Sequence, residues 1–304
     1  MEALEFERAL GKKTAQLEDV IKKYLPPEEG LQRTVIEAMN YSLLAGGKRL
    51  RPMLMRETYE MCGGEGELVE PFLAAIEMIH TYSLVHDDLP AMDNDEYRRG
   101  RKTTWYVYGD AMGILAGDGL LNYAFETALK AFGMCSNDAA AMQRAALALF
   151  TLAKKAGIYG MIGGQTADIE AEGKEEPVTE EELLFIHEHK TAALIQASMM
   201  IGAILAGAPE AEVRQLERCA YNIGIAFQIQ DDILDVTGDS GELGKPVGSD
   251  AQNHKQTYVT LKGLETAAAD VEALSREAVE ILDGFEGGHE FLKQLILKLI
   301  HRRR

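Results

Sequence analysis

The sequence predicts an all-α fold, organised as one domain over residues 1–304. Apolar residues return every three or four positions along most of the chain, which is the period of an amphipathic helix. No sustained alternation of β-branched and polar residues appears, and no Asn-Gly turns separate such runs. The chain has only 8 prolines and no Ser/Gly/Pro-rich linker, and 46% of its residues are hydrophobic, which is enough for one large core.

Glycines and prolines mark the ends of the predicted helices. A first amphipathic helix covers residues 2–24 and ends before a Pro-Pro pair, and a second covers 31–45 and ends at Gly46-Gly47. The segment Thr179-Glu-Glu-Glu182 predicts a capping box that opens a later helix. The stretch 237–256 has no regular pattern and predicts a long loop, either a functional lid or a disordered segment. Further helices are predicted over 51–62, 68–88, 109–132, 138–156, 183–206 (as one or two helices), 263–283 and 288–301.

A first acidic cluster, formed by Asp87, Asp88 and Asp93, follows an apolar run with helical periodicity. Adjacent carboxylates repel one another and resist burial, so they require a divalent metal or a basic partner. Pro90 interrupts the helical turn, so Asp93 must come from a distorted helix end or a loop. A lone Asp-Asp pair is ordinarily a solvated helix end.

A second acidic cluster, formed by Asp231, Asp232 and Asp235, again follows an uncharged run. An unbroken helix would present all three carboxylates along one edge. Two such clusters behind uncharged helices predict one shared metal site. Because hard oxygen ligands favour Mg²⁺, we expect that metal.

Basic residues accompany the first acidic cluster. The segment Gly46-Gly-Lys-Arg-Leu-Arg-Pro52 places three cations at a helix break, which suits either a diphosphate or an ordinary solvated loop. His80 lies seven residues before Asp87 and so on nearly the same helical stripe, although a lone histidine there is more often a core residue. Arg98-Arg-Gly-Arg-Lys102 adds four cations, which serve either a metal–phosphate site or a surface ion-pair network.

Charge and cysteine content exclude several classes of function. A net charge of −18 argues against general nucleic-acid binding, since the tail 301–304 is the only run of three or more consecutive basic residues. The three cysteines are widely spaced and odd in number, which fits a reducing compartment. No secretory signal is evident, so we expect a cytoplasmic protein. The uncharged stretch 191–209 is expected to be a closely packed core helix and not a membrane span.

Together these segments resemble those of the trans-isoprenyl diphosphate synthases, especially the bacterial farnesyl diphosphate synthases, over nearly the whole chain. Asp87-Asp-Leu-Pro-Ala-Met-Asp93 looks like the first aspartate-rich motif of that family, DDxxxxD, and Asp231-Asp-Ile-Leu-Asp235 looks like the second, DDxxD. The other family-like segments are Gly46–Pro52, Arg98-Arg-Gly100, Leu115-Ala-Gly-Asp118, Gly163-Gly-Gln165 with Asp168, His189-Lys-Thr191, Phe227-Gln-Ile-Gln230 and Gly244-Lys-Pro246.

The resemblance implies the isoprenoid synthase fold, a bundle of about ten or more mostly antiparallel helices around a central cavity. It also implies a homodimer, with the two aspartate motifs facing each other across the cavity of each subunit. The implied substrates are isopentenyl diphosphate and allylic diphosphates. The implied cofactor is Mg²⁺, three ions per active site, with Mn²⁺ as a substitute.

Individual roles follow from the same resemblance, position by position. The implied metal ligands are Asp87, Asp88, Asp93, Asp231 and Asp235. Isopentenyl diphosphate would be held by Lys48, Arg51, His80 and Arg99, and the allylic diphosphate by Arg98, Lys190, Lys245 and Lys255, with Thr191 and Gln228 lining the cation site. The residues expected to be catalytic are Asp87, Asp93, Asp231, Lys190 and Lys245, in a sequence of ionisation, condensation and proton elimination.

Tyr82, five residues before Asp87, is the predicted determinant of product length. In the resembling enzymes an aromatic residue here accompanies C15 products and smaller residues accompany C20, so we expect farnesyl diphosphate, with geranylgeranyl diphosphate as the alternative. The chain departs from the family where Trp105 and Tyr106 replace a common His-Lys pair. Two further functions compete with chain elongation. A terpene cyclase needs no second diphosphate site, and a non-catalytic subunit would be expected to have lost aspartates or cations.

Overall fold

The computed structural model describes residues 2–174, 176–237, 256–286 and 289–300. Nearly all regular structure within these ranges is helical, as the sequence predicts, and there are more than ten helices. The helices are α1 (Ala3–Lys23), α2 (Arg33–Leu43), α3 (Leu50–Met61), α4 (Glu70–Asp87), α5 (Thr104–Tyr108), α6 (Asp110–Met134), α7 (Ala139–Ala156), α8 (Met161–Glu172), α9 (Glu180–Ile186), α10 (Ala193–Ala206), α11 (Glu210–Thr237), α12 (Tyr258–Lys262), α13 (Leu264–Asp283) and α14 (Glu290–Ile300). A π-helical segment, His187–Ala192, joins α9 to α10.

Helices α8 and α12 were not predicted from the sequence, and neither were two short features that follow the first acidic cluster. Strands β1 (Tyr97–Arg98) and β2 (Arg101–Lys102) form an antiparallel hairpin after the first acidic cluster. Helix α5 precedes α6 and is separated from it by Gly109, whose φ of 86° stops the first helix. Both features are too short to leave a periodic signal in the sequence.

Helix ends elsewhere follow the sequence signals. The capping box predicted at the start of α9 is present, because the Thr179 hydroxyl accepts from the Glu182 amide at 3.2 Å. The Glu182 carboxylate in turn accepts from the Thr179 amide at 2.9 Å. Two orphan amides at the helix start are therefore satisfied reciprocally.

Helix α4 lies at the centre of the fold and is buried around its whole circumference from Pro71 to Ile79. It packs against α6, α3 and α1. Helix α10 is buried almost completely and packs against α3, α7 and α11, which confirms that the stretch 191–209 contributes a core helix. Most of the buried hydrophobic residues between Phe6 and Ile300 form one connected cluster.

One stretch of the described residues, Ala139–Glu172, is apolar and long enough to cross a membrane by composition, and 39% of its most apolar window is buried. It comprises two helices, α7 and α8, with a non-helical turn at Gly157–Gly160 between them. Length and composition of this kind are also found in core helices, so the stretch is weak evidence for a membrane span.

Candidate active site

A cavity of about 630 Å³ opens between α4, α6, α8 and the π-helical segment. Most of its lining is apolar, from side chains such as Leu84, Leu121, Met161 and Ile169. The sequence-predicted site residues that line it are Arg51, His80, Tyr82, Asp87, Lys190 and Thr191. Charged groups from three separate parts of the chain therefore meet beside one apolar cavity.

Asp87 is the last residue of α4, and the chain turns sharply after it. The Asp93 amide donates to the Asp87 carbonyl at 2.8 Å, so the turn through Pro90 brings Asp93 back to the helix end. This confirms that Asp93 comes from a loop and not from the helix. The Asp87 carboxylate accepts a hydrogen bond of 3.0 Å from Gln165 Nε2 on α8, which fixes its orientation in the cavity wall.

Asp88 is buried and is not among the residues that line the cavity. Its carboxylate accepts from Arg98 Nε at 2.6 Å, and Arg98 also lies 3.6 Å from Asp95. Arg98 thus ties the β1–β2 hairpin to the end of α4. The roles predicted for Asp88 as a metal ligand and for Arg98 as an allylic diphosphate ligand stay predictions.

Positive charge near the first acidic cluster is too small to offset the cost of burying its carboxylates, because the pKa values of all three are raised. Burial raises the pKa of Asp87 to about 6, with Asp93 adding repulsion while Lys190 opposes the shift. Burial likewise raises the pKa of Asp88 to about 6 despite the Arg98 contact, and raises the pKa of Asp93. Carboxylate oxygens with too little counter-charge are the donor set that suits Mg²⁺. In the described ranges no three His, Cys, Asp or Glu side chains converge on a point that could hold a metal ion.

Because the pKa of Asp87 is raised, we predict that the metal-free wild-type protein is less stable than its Asp87→Asn variant, by an amount that depends on pH. Between the ordinary aspartate pKa of 3.8 and the folded-state pKa of about 6, the folded state binds more protons than the unfolded state, so stability falls as pH rises through this window. Asp87→Asn carries no charge to bury, so its Tm in EDTA should exceed that of wild type by about 2–4 °C at pH 7.5. At about pH 4 the two proteins should unfold together, and a difference independent of pH would contradict this account.

The second acidic cluster lies on an unbroken helix, α11, but its three carboxylates do not share one edge. Asp231 is exposed and Asp235 is partly exposed, whereas Asp232 is buried and accepts from the Tyr258 amide at 2.7 Å. The expectation of three aligned carboxylates is therefore wrong for Asp232, because it caps the start of α12. Neither Asp231 nor Asp235 lines the cavity, and nor does Gln228.

Two glycines bring the surrounding helices close to the π-helical segment. A Cβ at Gly164 of α8 would overlap the backbone of Lys190, and a Cβ at Gly224 of α11 would overlap Ala192. The segment is thus packed tightly between α8 and α11. Lys190 points back to form an ion pair with the buried Asp168 of α8. The sequence showed Asp168 only as part of a family-like segment, and this contact gives it the role of orienting Lys190.

The basic segment before α3 divides into two kinds of cation. Arg49 is 2% exposed and pairs with Glu18 at 2.5 Å and Glu77 at 2.7 Å. The prediction of three cations in one diphosphate site is therefore wrong for Arg49, because two carboxylates neutralise it inside the core. Lys48 is exposed and Arg51 lines the cavity.

Arg51 and its neighbours form a cluster of positive charge. Burial, with a contribution from Arg99, lowers the pKa of Arg51 to about 10 although Glu77 opposes the shift, and its Nε has no hydrogen-bond partner among the described residues. Burial also lowers the pKa of His80 well below its usual value, and the nearby arginines lower it further. His80 is therefore neutral near pH 7 and offers one N–H donor.

Arg99 is held in this cluster by the geometry of the hairpin. Arg99 and Gly100 are its central residues, and both have positive φ, 53° and 75°, as a two-residue hairpin turn of the favoured type requires. The Arg99 guanidinium donates to the Gly46 carbonyl, and a Cβ at Gly47 would overlap it. The Gly-Gly pair before Lys48 is therefore a notch that receives Arg99.

Aromatic residues support the hairpin where the chain departs from the resembling family. Trp105 Nε1 donates to the Asp95 carbonyl at 2.9 Å, and the Lys102 ammonium lies 3.9 Å from the centre of the Tyr106 ring. These contacts brace the loop that carries Arg98 and Arg99.

Some predicted residues lie outside the described residues, namely Lys245 and Lys255 together with most of the loop 237–256 and the basic tail 301–304. Among the cavity residues that received no individual role from the sequence are Gln165 and His86. Gln165 belongs to a segment already noted as family-like. His86 directly precedes the first acidic cluster, and no pattern in the sequence distinguished it.

The helical fold, the apolar cavity and the acidic and basic groups beside it define a prenyltransferase of the trans type. A family model described as polyprenyl synthetase matches residues 32–287, and the chain belongs to that family.

Three known proteins illustrate the similarity. The chain is 45% identical over 281 residues to the farnesyl diphosphate synthase of Geobacillus stearothermophilus, covering 91% of this chain and 92% of that protein. It is 49% identical over 250 residues to the chloroplastic geranylgeranyl pyrophosphate synthase of Capsicum annuum, covering 82% of this chain and 66% of that protein. The crystal structure of an FPP/GFPP synthase from Zymomonas mobilis superposes with a TM-score of 0.86 at 31% identity, covering 98% of this chain and 100% of that one.

Proposed function

We propose that the protein condenses isopentenyl diphosphate head to tail with dimethylallyl diphosphate and then with geranyl diphosphate, giving farnesyl diphosphate and diphosphate. The observation that carries the C15 assignment is the position of Tyr82. Its ring is buried in the cavity wall, five residues and about 7.5 Å along α4 from Asp87. An allylic chain whose diphosphate lies at Asp87 would meet this ring as it grows.

The basic cluster supports a site for the diphosphate of isopentenyl diphosphate. Arg51 has an unused donor, Arg99 is fixed beside it by the hairpin, and neutral His80 adds a further N–H. Burial of like charges without a full set of counter-charges is costly, and a bound diphosphate relieves that cost with charge-assisted hydrogen bonds. Lys48, at the edge of the same segment, completes the set.

The acidic side of the cavity is the proposed site of the allylic substrate. Lys190, held by its ion pair with Asp168, lines the cavity and would supply a cation to the leaving diphosphate, and Thr191 lines the cavity beside it. Mg²⁺ held by Asp87, Asp93, Asp231 and Asp235 would neutralise that diphosphate and favour its departure. The apolar wall excludes water from the allylic cation, so that the alkene of isopentenyl diphosphate attacks instead. The released diphosphate is the proposed proton acceptor.

A C20 product is the second candidate. The chain is 49% identical to a geranylgeranyl pyrophosphate synthase and 45% identical to a farnesyl diphosphate synthase, so overall similarity does not favour C15. The C15 proposal depends on Tyr82 alone. It would give way to C20 if the ring moved aside when a C15 chain is bound.

We further propose that the protein is a homodimer. Large apolar side chains stand exposed on neighbouring helices and on the turn after them, a pattern that marks protein interfaces. They include Leu115 and Leu129 on α6, Leu147 and Phe150 on α7, and Ile158 and Tyr159 after α7.

Release of diphosphate, measured with and without isopentenyl diphosphate, tests the reaction class. Dimethylallyl and geranyl diphosphates should release diphosphate only when isopentenyl diphosphate is present, because ionisation is productive only with a second substrate. EDTA should abolish release and Mg²⁺ should restore it, since the carboxylates otherwise lack counter-charge. Release from geranyl diphosphate alone would instead indicate a cyclase, and full turnover in EDTA would exclude the metal role.

A further inference from the structure

The orientation of Tyr82 is not fixed by a hydrogen bond. Its hydroxyl is buried and has no hydrogen-bond partner among the described residues, so packing alone holds the ring in the cavity wall. The aromatic contact that the structure gives it is with His86, one turn later on α4. The two ring centres are 5.9 Å apart and the planes meet at 81°, which is the edge-to-face arrangement that aromatic pairs prefer.

His86 is held in turn by α6. Its Nε2 lies 3.0 Å from the Ile114 carbonyl oxygen. Because a carbonyl can only accept, Nε2 carries the hydrogen and donates it. The ring also occupies the space above Gly117, where an added Cβ would overlap Nε2 and Cδ2. The hydrogen bond to Ile114 and the space above Gly117 together hold the imidazole with its ring against Tyr82.

We propose that His86 is a positioning residue that sets product length by holding Tyr82 across the cavity, with Gly117 as the notch that makes this possible. The inference rests on the proposed chain-elongating function and on Tyr82 as its stop. His86 acts through Tyr82 and not on the growing chain itself. Loosening His86 lets the Tyr82 ring turn aside and admits one more isoprene unit.

Two independent variants test this, each analysed for its product distribution at equal consumption of isopentenyl diphosphate. His86→Ala removes the ring that supports Tyr82. Gly117→Ala leaves His86 unchanged but displaces its ring, and alanine is the better helix former. Each should raise the ratio of the next longer product to the wild-type product by about three- to tenfold, the range expected for loss of one aromatic contact.

Gly133, on α6 like Gly117, offers a matched control for Gly117→Ala. A Cβ added at Gly133 of α6 meets nothing within 4 Å, so Gly133→Ala makes the same chemical change without touching His86. Its product ratio should equal that of wild type. A shift as large as that of Gly117→Ala would overturn the proposal, because it would trace the effect to α6 in general.

The Tyr82→Ala background separates positioning from direct contact. If His86 acts through Tyr82, His86→Ala should change the product ratio of Tyr82→Ala by less than about twofold. An equal shift in both backgrounds, or unchanged ratios in both His86→Ala and Gly117→Ala, would overturn the inference. A wild-type protein that elongates no allylic diphosphate would instead refute the proposed function, so the two failures are distinguishable.

Discussion

Asp87→Ala and Asp231→Ala are each expected to lower kcat by about a thousandfold or more. Each removes a carboxylate from the predicted metal set, and electrostatic stabilisation of the leaving diphosphate supplies most of the rate enhancement in such a reaction. The structure places Asp87 in the cavity wall, oriented by Gln165, and places Asp231 on the exposed side of α11. Steady-state rates at saturating Mg²⁺ and both substrates provide the measurement.

A surface aspartate serves as the control for this loss. Asp19 of α1 is 80% exposed and lies 3.9 Å from Lys22, a distance at which an exposed pair contributes little. Asp19→Ala should keep its rate within about twofold of wild type. A loss of tenfold or less in Asp87→Ala or Asp231→Ala would mean that the metal ligands are misassigned.

Tyr82→Ala is expected to convert the main product from C15 to C20 or longer while condensation continues. The buried ring lines the cavity beside α4, and truncating it to a methyl group would open space in that wall for the growing chain. Some loss of stability should accompany the change, about 3–5 kcal/mol for a buried aromatic, so the product should be measured well below the Tm.

Tyr82→Phe is the matched control for this prediction. The hydroxyl has no hydrogen-bond partner among the described residues, so removing it keeps the ring and leaves no donor or acceptor unpaired. This variant should make C15 and be at least as stable as wild type. If Tyr82→Ala also stopped at C15, the chain-length stop would lie elsewhere in the cavity.

The sequence predicts most of the fold because the helices are long, periodic and separated by glycines and prolines. It also places His80, Tyr82 and Asp87 correctly beside one cavity, since they share one helix and helical geometry relates them. Contacts between distant segments are different. Glu18 and Glu77 neutralise Arg49 from two other helices, and no local sequence pattern predicts that pairing.

The other differences between the predicted and the observed site also arise from contacts between segments that are distant in the sequence. Asp232 shares its motif with Asp231 and Asp235, but it turns inward to cap a helix 26 residues later. The Asp168 partner of Lys190 lies 22 residues away on α8. The role of His86 depends on a gap at Gly117 and a carbonyl on α6. In each case tertiary packing decides the orientation of a side chain whose position along the chain was already evident.

The most direct test of the central claim is the mass of the product made by wild-type protein from isopentenyl diphosphate, Mg²⁺ and dimethylallyl diphosphate, with farnesyl diphosphate offered as primer in a parallel reaction. The account predicts farnesyl diphosphate as the main product and no extension of added farnesyl diphosphate, because Tyr82 blocks a longer chain. A main product of C20 or longer, or efficient extension of farnesyl diphosphate, would contradict it.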